Sequence, residues 1–264
     1  GATWFPIPFT EQSWAAIASS ADGNKLAAAA IHFGYIGGIW TSPNSGLDWS
    51  MTWALTNTWR GIDCSADGSI VVAVDFGNYE YPRLIATSTN GGWGIWEYYF
   101  SINAPERFTS VATSADGRKS MATSTQRIFS SGDSGRTWIA VAAPDGIYTG
   151  VACSSDGCRW VAVASGGEIQ VSPDFGANWT LESNPSLSWQ AVASSRDGSR
   201  LVAIATNGPI HISTNSGISW FATPSPSLQW QAVASSADGH KLAAAVYGGG
   251  IYTWQSTPSP KLDI

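Results

Sequence analysis

Charge is what this sequence has least of. Only 12% of its 264 residues are Asp, Glu, Lys or Arg, and the balance is −6, giving a pI near 4.9. No Lys/Arg run is present that could displace the counterions of a phosphate backbone, so neither nucleic acid nor an anionic membrane surface is expected as a partner. No apolar stretch reaches the ~18–20 residues that a membrane-spanning helix needs, so membrane insertion is not expected either. Cysteine and histidine number three each. His32, His211 and His240 lie far apart, and no Cys-x-x-Cys, His-Glu-x-x-His or calcium-loop spacing occurs. No metal and no cofactor is therefore expected. A phosphate loop and a Gly-x-Ser-x-Gly elbow are missing too.

Apolar residues make up 44% of the chain and include 15 Trp, which supplies a sizeable core and excludes a disordered composition. The apolar residues recur in order. An aromatic is followed eight positions later by Asp-Gly at Trp14/Asp22, Trp59/Asp67, Phe108/Asp116, Tyr148/Asp156, Trp189/Asp197 and Trp230/Asp238. The aromatics are 45, 49, 40, 41 and 41 residues apart. A period of ~40–50 residues marks a repeat architecture, in which each unit buries its apolar face against its neighbours. The repeat runs end to end, so residues 1–264 are expected to form one domain, with units starting near 14, 59, 108, 148, 189 and 230 and a tail over 255–264.

Within the fifth copy, four short β-prone segments are separated by Arg196-Asp197-Gly198, Asn207-Gly208-Pro209 and Thr214-Asn215-Ser216-Gly217. Such a segment reads as a four-stranded antiparallel meander, with Asp-Gly supplying the positive φ of a tight turn. Six such units predict an all-β, six-bladed β-propeller. After the third turn, a Trp precedes the next copy's aromatic by ten residues at Trp49/Trp59, Trp138/Tyr148, Trp179/Trp189 and Trp220/Trp230. Trp4 precedes Trp14 by the same ten, and Thr3-Trp4-Phe5 matches Ser219-Trp220-Phe221. A strand over about 2–8 is therefore expected to complete the last blade and close the ring, hiding a sheet edge that would otherwise stay exposed.

The third turn carries Ser-x-Asp-x-Gly-x-x-Trp at Ser131–Trp138 and Ser172–Trp179, with Asn44 and Asn215 at the Asp position of two further copies and Asn90 in a longer fifth. This pattern resembles the Asp-box (BNR) repeats of sialidase-type propellers. The resemblance covers five of six blades and implies the fold. For function it implies little, because the box is a peripheral turn shared by enzymes, lectin-like modules and assembly factors.

Function is sought where the copies differ. From the Asp of Asp-Gly to the box Asp or Asn, blades three to five span 17, 18 and 18 residues, whereas blades one and two span 22 and 23. The surplus falls in Ile31–Gly38 and Asp75–Arg83, and two extra link residues fall between Glu97 and Arg107. These departures share one face of adjacent blades, and varied loops on a rigid scaffold are where binding groups sit. His32, Tyr35, Tyr79, Glu80, Tyr81, Arg83, Tyr98 and Arg107 are the candidate ligand contacts, with aromatics to stack on sugar rings and charged groups to hold hydroxyls. The expectation is a secreted, non-catalytic, lectin-like protein binding a glycan or other small polar ligand. The alternatives are an enzyme using Glu80 with Asp75 or Glu106, and a scaffold for a protein partner. Sialidase activity is not expected, because the arginine triad and long insertions of those enzymes are not evident. The entrance aromatics could stack on a repetitive glycan or pack between blades. The sequon Asn178-Trp179-Thr180 and the start at Gly1 point to an exported chain. Cys153 and Cys158 flank a turn and could pair as a disulfide or sit unbonded in a strand pair.

Overall fold

A computed structural model describes residues 13–31, 37–77, 83–100, 107–181 and 186–256, and among them it contains strands and turns but no helix. The first unit comprises β1 (Ser13–Ser19), β2 (Leu26–Ile31), β3 (Ile39–Ser42) and β4 (Ser50–Met51). The second comprises β5 (Trp59–Cys64), β6 (Val71–Asp75), β7 (Leu84–Ser88) and β8 (Glu97–Phe100). The third comprises β9 (Phe108–Thr113), β10 (Ser120–Ser124), β11 (Ile128–Ser131) and β12 (Ile139–Ala140). The fourth comprises β13 (Tyr148–Cys153), β14 (Trp160–Gly167), β15 (Ile169–Ser172) and β16 (Thr180–Leu181). The fifth comprises β17 (Leu187–Ser194), β18 (Leu201–Gly208), β19 (His211–Ser213) and β20 (Phe221–Ala222). The sixth has β21 (Leu228–Ser235), β22 (Lys241–Val246) and β23 (Ile251–Gln255). Every unit is an antiparallel meander, and direct pairing of β14 with β17 and of β18 with β21 joins the last three units into one larger sheet.

The first turn is built the same way six times. A Ser hydroxyl donates to the turn Asp, at 2.6 Å for Ser20–Asp22 and 2.5 Å for Ser154–Asp156, and accepts the backbone N–H five residues on. In the third turn the Ser131 hydroxyl donates to Asp133 and accepts from Gly135, while Trp138 closes the loop onto the Gly135 carbonyl. The two turns of a unit are tied to one another: Ser45 donates to the Asn24 carbonyl, Ser134 to Arg118 and Ser216 to Ser199. Both turns therefore share one face, as their sequence patterns predict.

Successive units are linked by a backbone ladder on that face. Ala21 donates to Ala66, Ala66 to Ala115, Ala115 to Ser155, Ser155 to Arg196 and Arg196 to Ala237, all at 2.7–2.8 Å. Between units lies the core, made of the second-strand aliphatics and the aromatics. Trp59, Phe108, Tyr148, Trp189 and Trp230 are fully buried there, which overturns the expectation that they might form a ring of stacking platforms. Burial of each large apolar side chain contributes roughly 1.5–3 kcal/mol, so this position is scaffold. Trp14 is the exception at 46% exposed, its ring meeting Trp40 edge-on.

Two other expectations meet a different outcome. The proposed closing strand over 2–8 lies outside the described residues, and among those described the ladder stops at Ala237, which makes no bond to Ala21. Cys153 and Cys158 are both thiols. The hairpin register sets Cys153 opposite Trp160, leaving Cys158 inside the turn, so the two do not face one another. Cys153 Sγ instead donates to the Thr113 carbonyl, and Cys158 Sγ takes the Lys119 ammonium.

Candidate functional site

The residue after each entrance aromatic is a β-bulge. Register shifts fall between Trp14 and Ala16, Trp59 and Gly61, Tyr148 and Gly150, Trp189 and Ala191, and Trp230 and Ala232, with the matching shift in the third unit opposite Thr123 and Ser124. The extra residues are Ala15, Arg60, Thr109, Thr149, Gln190 and Gln231. A bulge re-aims a side chain that the regular pleat would direct into the core. First strands of successive units lie side by side, so the bulges form a row at the strand entrances, opposite the face that carries the tight turns. Arg60 is the one charged member of the row.

Arg60 leads to the site. Its guanidinium carbon lies 6.0 Å from the centre of the Phe76 ring, and that of Arg107, from the next unit, lies 5.0 Å from the same centre. Phe76 is held in place by its own N–H, which donates to the Thr58 carbonyl just before β5. Arg107 enters β9 with its backbone bridged to Thr125. Two cations thus converge on one half-buried aromatic across the boundary of units two and three. Each cation–π contact at an exposed site is worth about 0.5–1 kcal/mol, enough to orient the guanidinium forks. An oriented fork suits a carboxylate, which it can grip with two parallel hydrogen bonds.

Of the eight expected ligand contacts, His32, Tyr35, Tyr79, Glu80 and Tyr81 lie outside the described residues. Arg107 is at the site just described. Arg83 serves the scaffold: its stem lies across Gly77, where an added Cβ would come within 2.3 Å of Arg83 Cγ. Tyr98 also turns inward, its hydroxyl accepting the Leu55 N–H at 2.9 Å and fastening the link between units one and two. Of the carboxylates considered for catalysis, Glu80 and Glu106 lie outside the described residues. Asp75 is fully buried, and its Oδ1 accepts from Thr58 Oγ1 at 2.5 Å and from Gly77 N–H at 3.0 Å. Burial raises its pKa, opposed by those bonds and by Arg83. It holds the loop's first turn in place rather than facing solvent.

Sequence reasoning passed over two residues. Arg60 stands out only when the six post-aromatic positions are aligned. Asp63 stands out the same way, occupying a position that is Ala18, Ala112, Ala152, Ala193 and Ala234 elsewhere. Among the described residues no group of three or more His, Cys, Asp or Glu could hold a metal ion.

Comparisons with known proteins place the fold. No family model matches the sequence, and no curated protein sequence matches it. Solved structures do match. YCF48 bound to a D1 peptide aligns with a TM-score of 0.66 at 18% identity, over 92% of this chain and 79% of that one. YCF48 from Cyanidioschyzon merolae aligns with a TM-score of 0.69 at 16% identity, over 95% and 84%. The β-propeller domain of Myceliophteria thermophila Cps50 (Swd1) aligns with a TM-score of 0.68 at 17% identity, over 92% and 84%. At these identities the likeness concerns architecture, and it makes this chain a β-propeller of four-stranded antiparallel blades.

Proposed function

We propose that this propeller is a protein-interaction scaffold that receives a carboxylate-bearing peptide segment at Arg60, Phe76 and Arg107. The observation that carries this reading is the convergence of two guanidinium groups from adjacent blades on one aromatic ring. Arg60 makes no ion pair among the described residues, and it stands exposed in a chain with few cations. A carboxylate held there would bring its neighbouring residues along the row of bulged side chains, where Thr109, Thr149 and Gln190 offer neutral hydrogen-bonding groups. The likeness to a propeller that was solved with a bound peptide supports this reading over the lectin-like one. Burial of five entrance aromatics also weakens the case for a repetitive glycan platform. We further propose that the six units form one closed ring, and that the Ser-x-Asp/Asn-x-Gly turns reflect kinship with the Asp-box repeats.

The test is a random-peptide display selection against the purified protein, followed by binding measurements with the selected peptides in free-acid and amidated or Asn/Gln-substituted forms. Binding should require the carboxylate and weaken with salt. Arg60→Ala should raise Kd about 10-fold, equivalent to about 1.4 kcal/mol, with thermal stability unchanged. Selection of no peptide by a protein that binds a glycan array would return the function to the lectin-like alternative.

A further inference from the structure

The interfaces between successive blades share one composition, and one of them is incomplete. Between blades four and five, Val161, Ile169, Trp189, Val192, Leu201 and Ala203 surround the box tryptophan Trp220. Between blades one and two, Ala27, Ile39, Trp59, Ile62, Val71 and Ala73 surround Trp96 in the same way. Trp138 and Trp179 stand in the two interfaces that lie between these. Between blades five and six the aligned residues are Val202, Ile210, Trp230, Val233, Leu242 and Ala244. No box tryptophan accompanies them. Those six residues line a cavity of about 260 Å³, walled on its outer side by Tyr252, Thr253 and Trp254. The cavity of about 240 Å³ at blades four and five has another lining, beside Arg159, Pro173 and Ser216 on the turn face, and does not reach Trp189 or Val192. The five–six cavity is thus the place an indole fills elsewhere.

Two further incomplete features adjoin it. In blades one to five the third strand pairs with an outer strand, whereas β23 pairs only with β22 and all five of its residues are exposed. The backbone ladder also ends there: Ala237 N–H has no acceptor in a following blade, and Ala21 C=O has no donor. Lys241 occupies the position from which Lys25, Lys119 and Arg159 each reach the turn-Asp carbonyl of the next blade, at 2.9, 3.2 and 2.7 Å. Among the described residues it makes no such bond. The two ends of the arc therefore carry complementary groups.

We propose that the five–six slot is a docking site for residues 3–5 of this same chain, with Trp4 entering as the missing indole and Thr3-Trp4-Phe5 adding to β23 as its outer strand. The sequence supplies the match: Thr3-Trp4-Phe5 parallels Ser219-Trp220-Phe221, and Trp4 precedes Trp14 by the ten residues that separate Trp220 from Trp230. That ten-residue link sets blade one beside blade six. Ala237 N–H then meets Ala21 C=O, Lys241 meets the Asp22 carbonyl, and Trp14 is covered. One movement removes every incompleteness. Strand addition to an open edge gives such a segment main-chain hydrogen bonds as well as a side-chain pocket.

A disulfide test fixes the register. Since Phe221 opposes Ile212, Phe5 should oppose Thr253. In full-length protein with its three native cysteines replaced by Ser, Phe5→Cys with Thr253→Cys should oxidise to an intramolecular disulfide that raises Tm. Trp4→Ala, with no cysteines introduced, should lower Tm and strip hydrogen-exchange protection from the β23 amides, while Trp4→Phe should retain part of both. A synthetic peptide of residues 1–12 should restore protection to the Trp4→Ala protein. Failure of the monomer to cross-link while it remains folded would overturn the proposal. So would a disulfide found only between chains, which would make a second copy the occupant.

Discussion

The backbone N–H of Thr113, in the third blade, donates to the carboxylate of Asp63, in the second, at 2.7 Å. The other carboxylate oxygen accepts the N–H of Cys64 at 2.8 Å. Asp63 thus staples two inner strands where five blades carry only alanine. Burial pushes its pKa up to about 6 despite both hydrogen bonds. A carboxyl with a raised folded pKa favours the folded state fully below its unfolded value near 4, and loses that contribution as pH rises through 6. A rise of about two units is worth at most ~3 kcal/mol, and partial exposure reduces the expectation to about 1–2 kcal/mol. Urea unfolding at pH 4, 5, 6 and 7 should show the native protein losing this stability across that window. Asp63→Ala should lack the slope; parallel pH profiles would show that Asp63 titrates normally.

The turn aspartates act in the opposite direction. Hydrogen bonds from Ser20 and Asn24 hold Asp22 down to about 2; those from Ser65 and Ser69 do the same for Asp67, and those from Ser199 and Ser195 for Asp197. Carboxyls with depressed folded pKa values contribute stability above their unfolded value near 4 and lose it as pH falls towards 2. Together with Asp63, this places the maximum of Tm near pH 4, and Asp63→Ala should convert that maximum into a plateau extending to neutral pH. Ser65→Ala, which deletes the donor to Asp67 and the acceptor for Ile70, should cost about 1–2 kcal/mol at pH 7 and less at pH 2.

Two glycines with nearly the same backbone strain should differ sharply when mutated. Gly23 has φ 74° and open space around an added Cβ, whereas Gly135 has φ 81° and would bring a Cβ within 2.2 Å of Thr87 Oγ1 and 2.9 Å of Thr87 Cβ. The left-handed conformation alone costs an alanine roughly 1–2 kcal/mol. Gly23→Ala should pay about that. Gly135→Ala should lose at least about 1 kcal/mol more, because the third-blade turn must move off β7 of the second blade. Equal losses in chemical denaturation would mean that Thr87 yields without cost.

Scaffold positions were legible because they recur. Six Ser-x-Asp-Gly turns and five entrance aromatics each solve one local problem identically, so spacing alone located strands, turns and shared faces. The bulges were less legible, since register shifts depend on pairing across strands and leave only a faint trace in the residue after each aromatic. Arg60 and Asp63 are single departures inside otherwise uniform columns, visible only by alignment of the copies. Composition misled most at Tyr98 and Arg83. Both have the chemistry of ligand contacts, yet a phenol or guanidinium near a loop is equally able to satisfy a backbone amide or neutralise a buried acid. The choice between those uses is made by packing, which spacing does not encode.

Tyr98 offers the cleanest separation of the two uses. Its hydroxyl accepts from Leu55 N–H, the residue whose carbonyl in turn accepts the indole N–H of the buried Trp59 at 3.1 Å. The ring packs against the core between blades one and two. Removing only the hydroxyl leaves that packing intact and the Leu55 amide, which is exposed, free to find water. Tyr98→Phe should therefore cost about 0.5–1.5 kcal/mol in unfolding experiments, the net worth of one such hydrogen bond. It should leave the affinity for selected peptides within twofold of the native value, whereas Arg60→Ala should do the reverse. A Tyr98→Phe protein of native stability that no longer bound its peptide would return Tyr98 to the ligand contacts and move the site outward, from the bulged row towards the outer strand of the second blade.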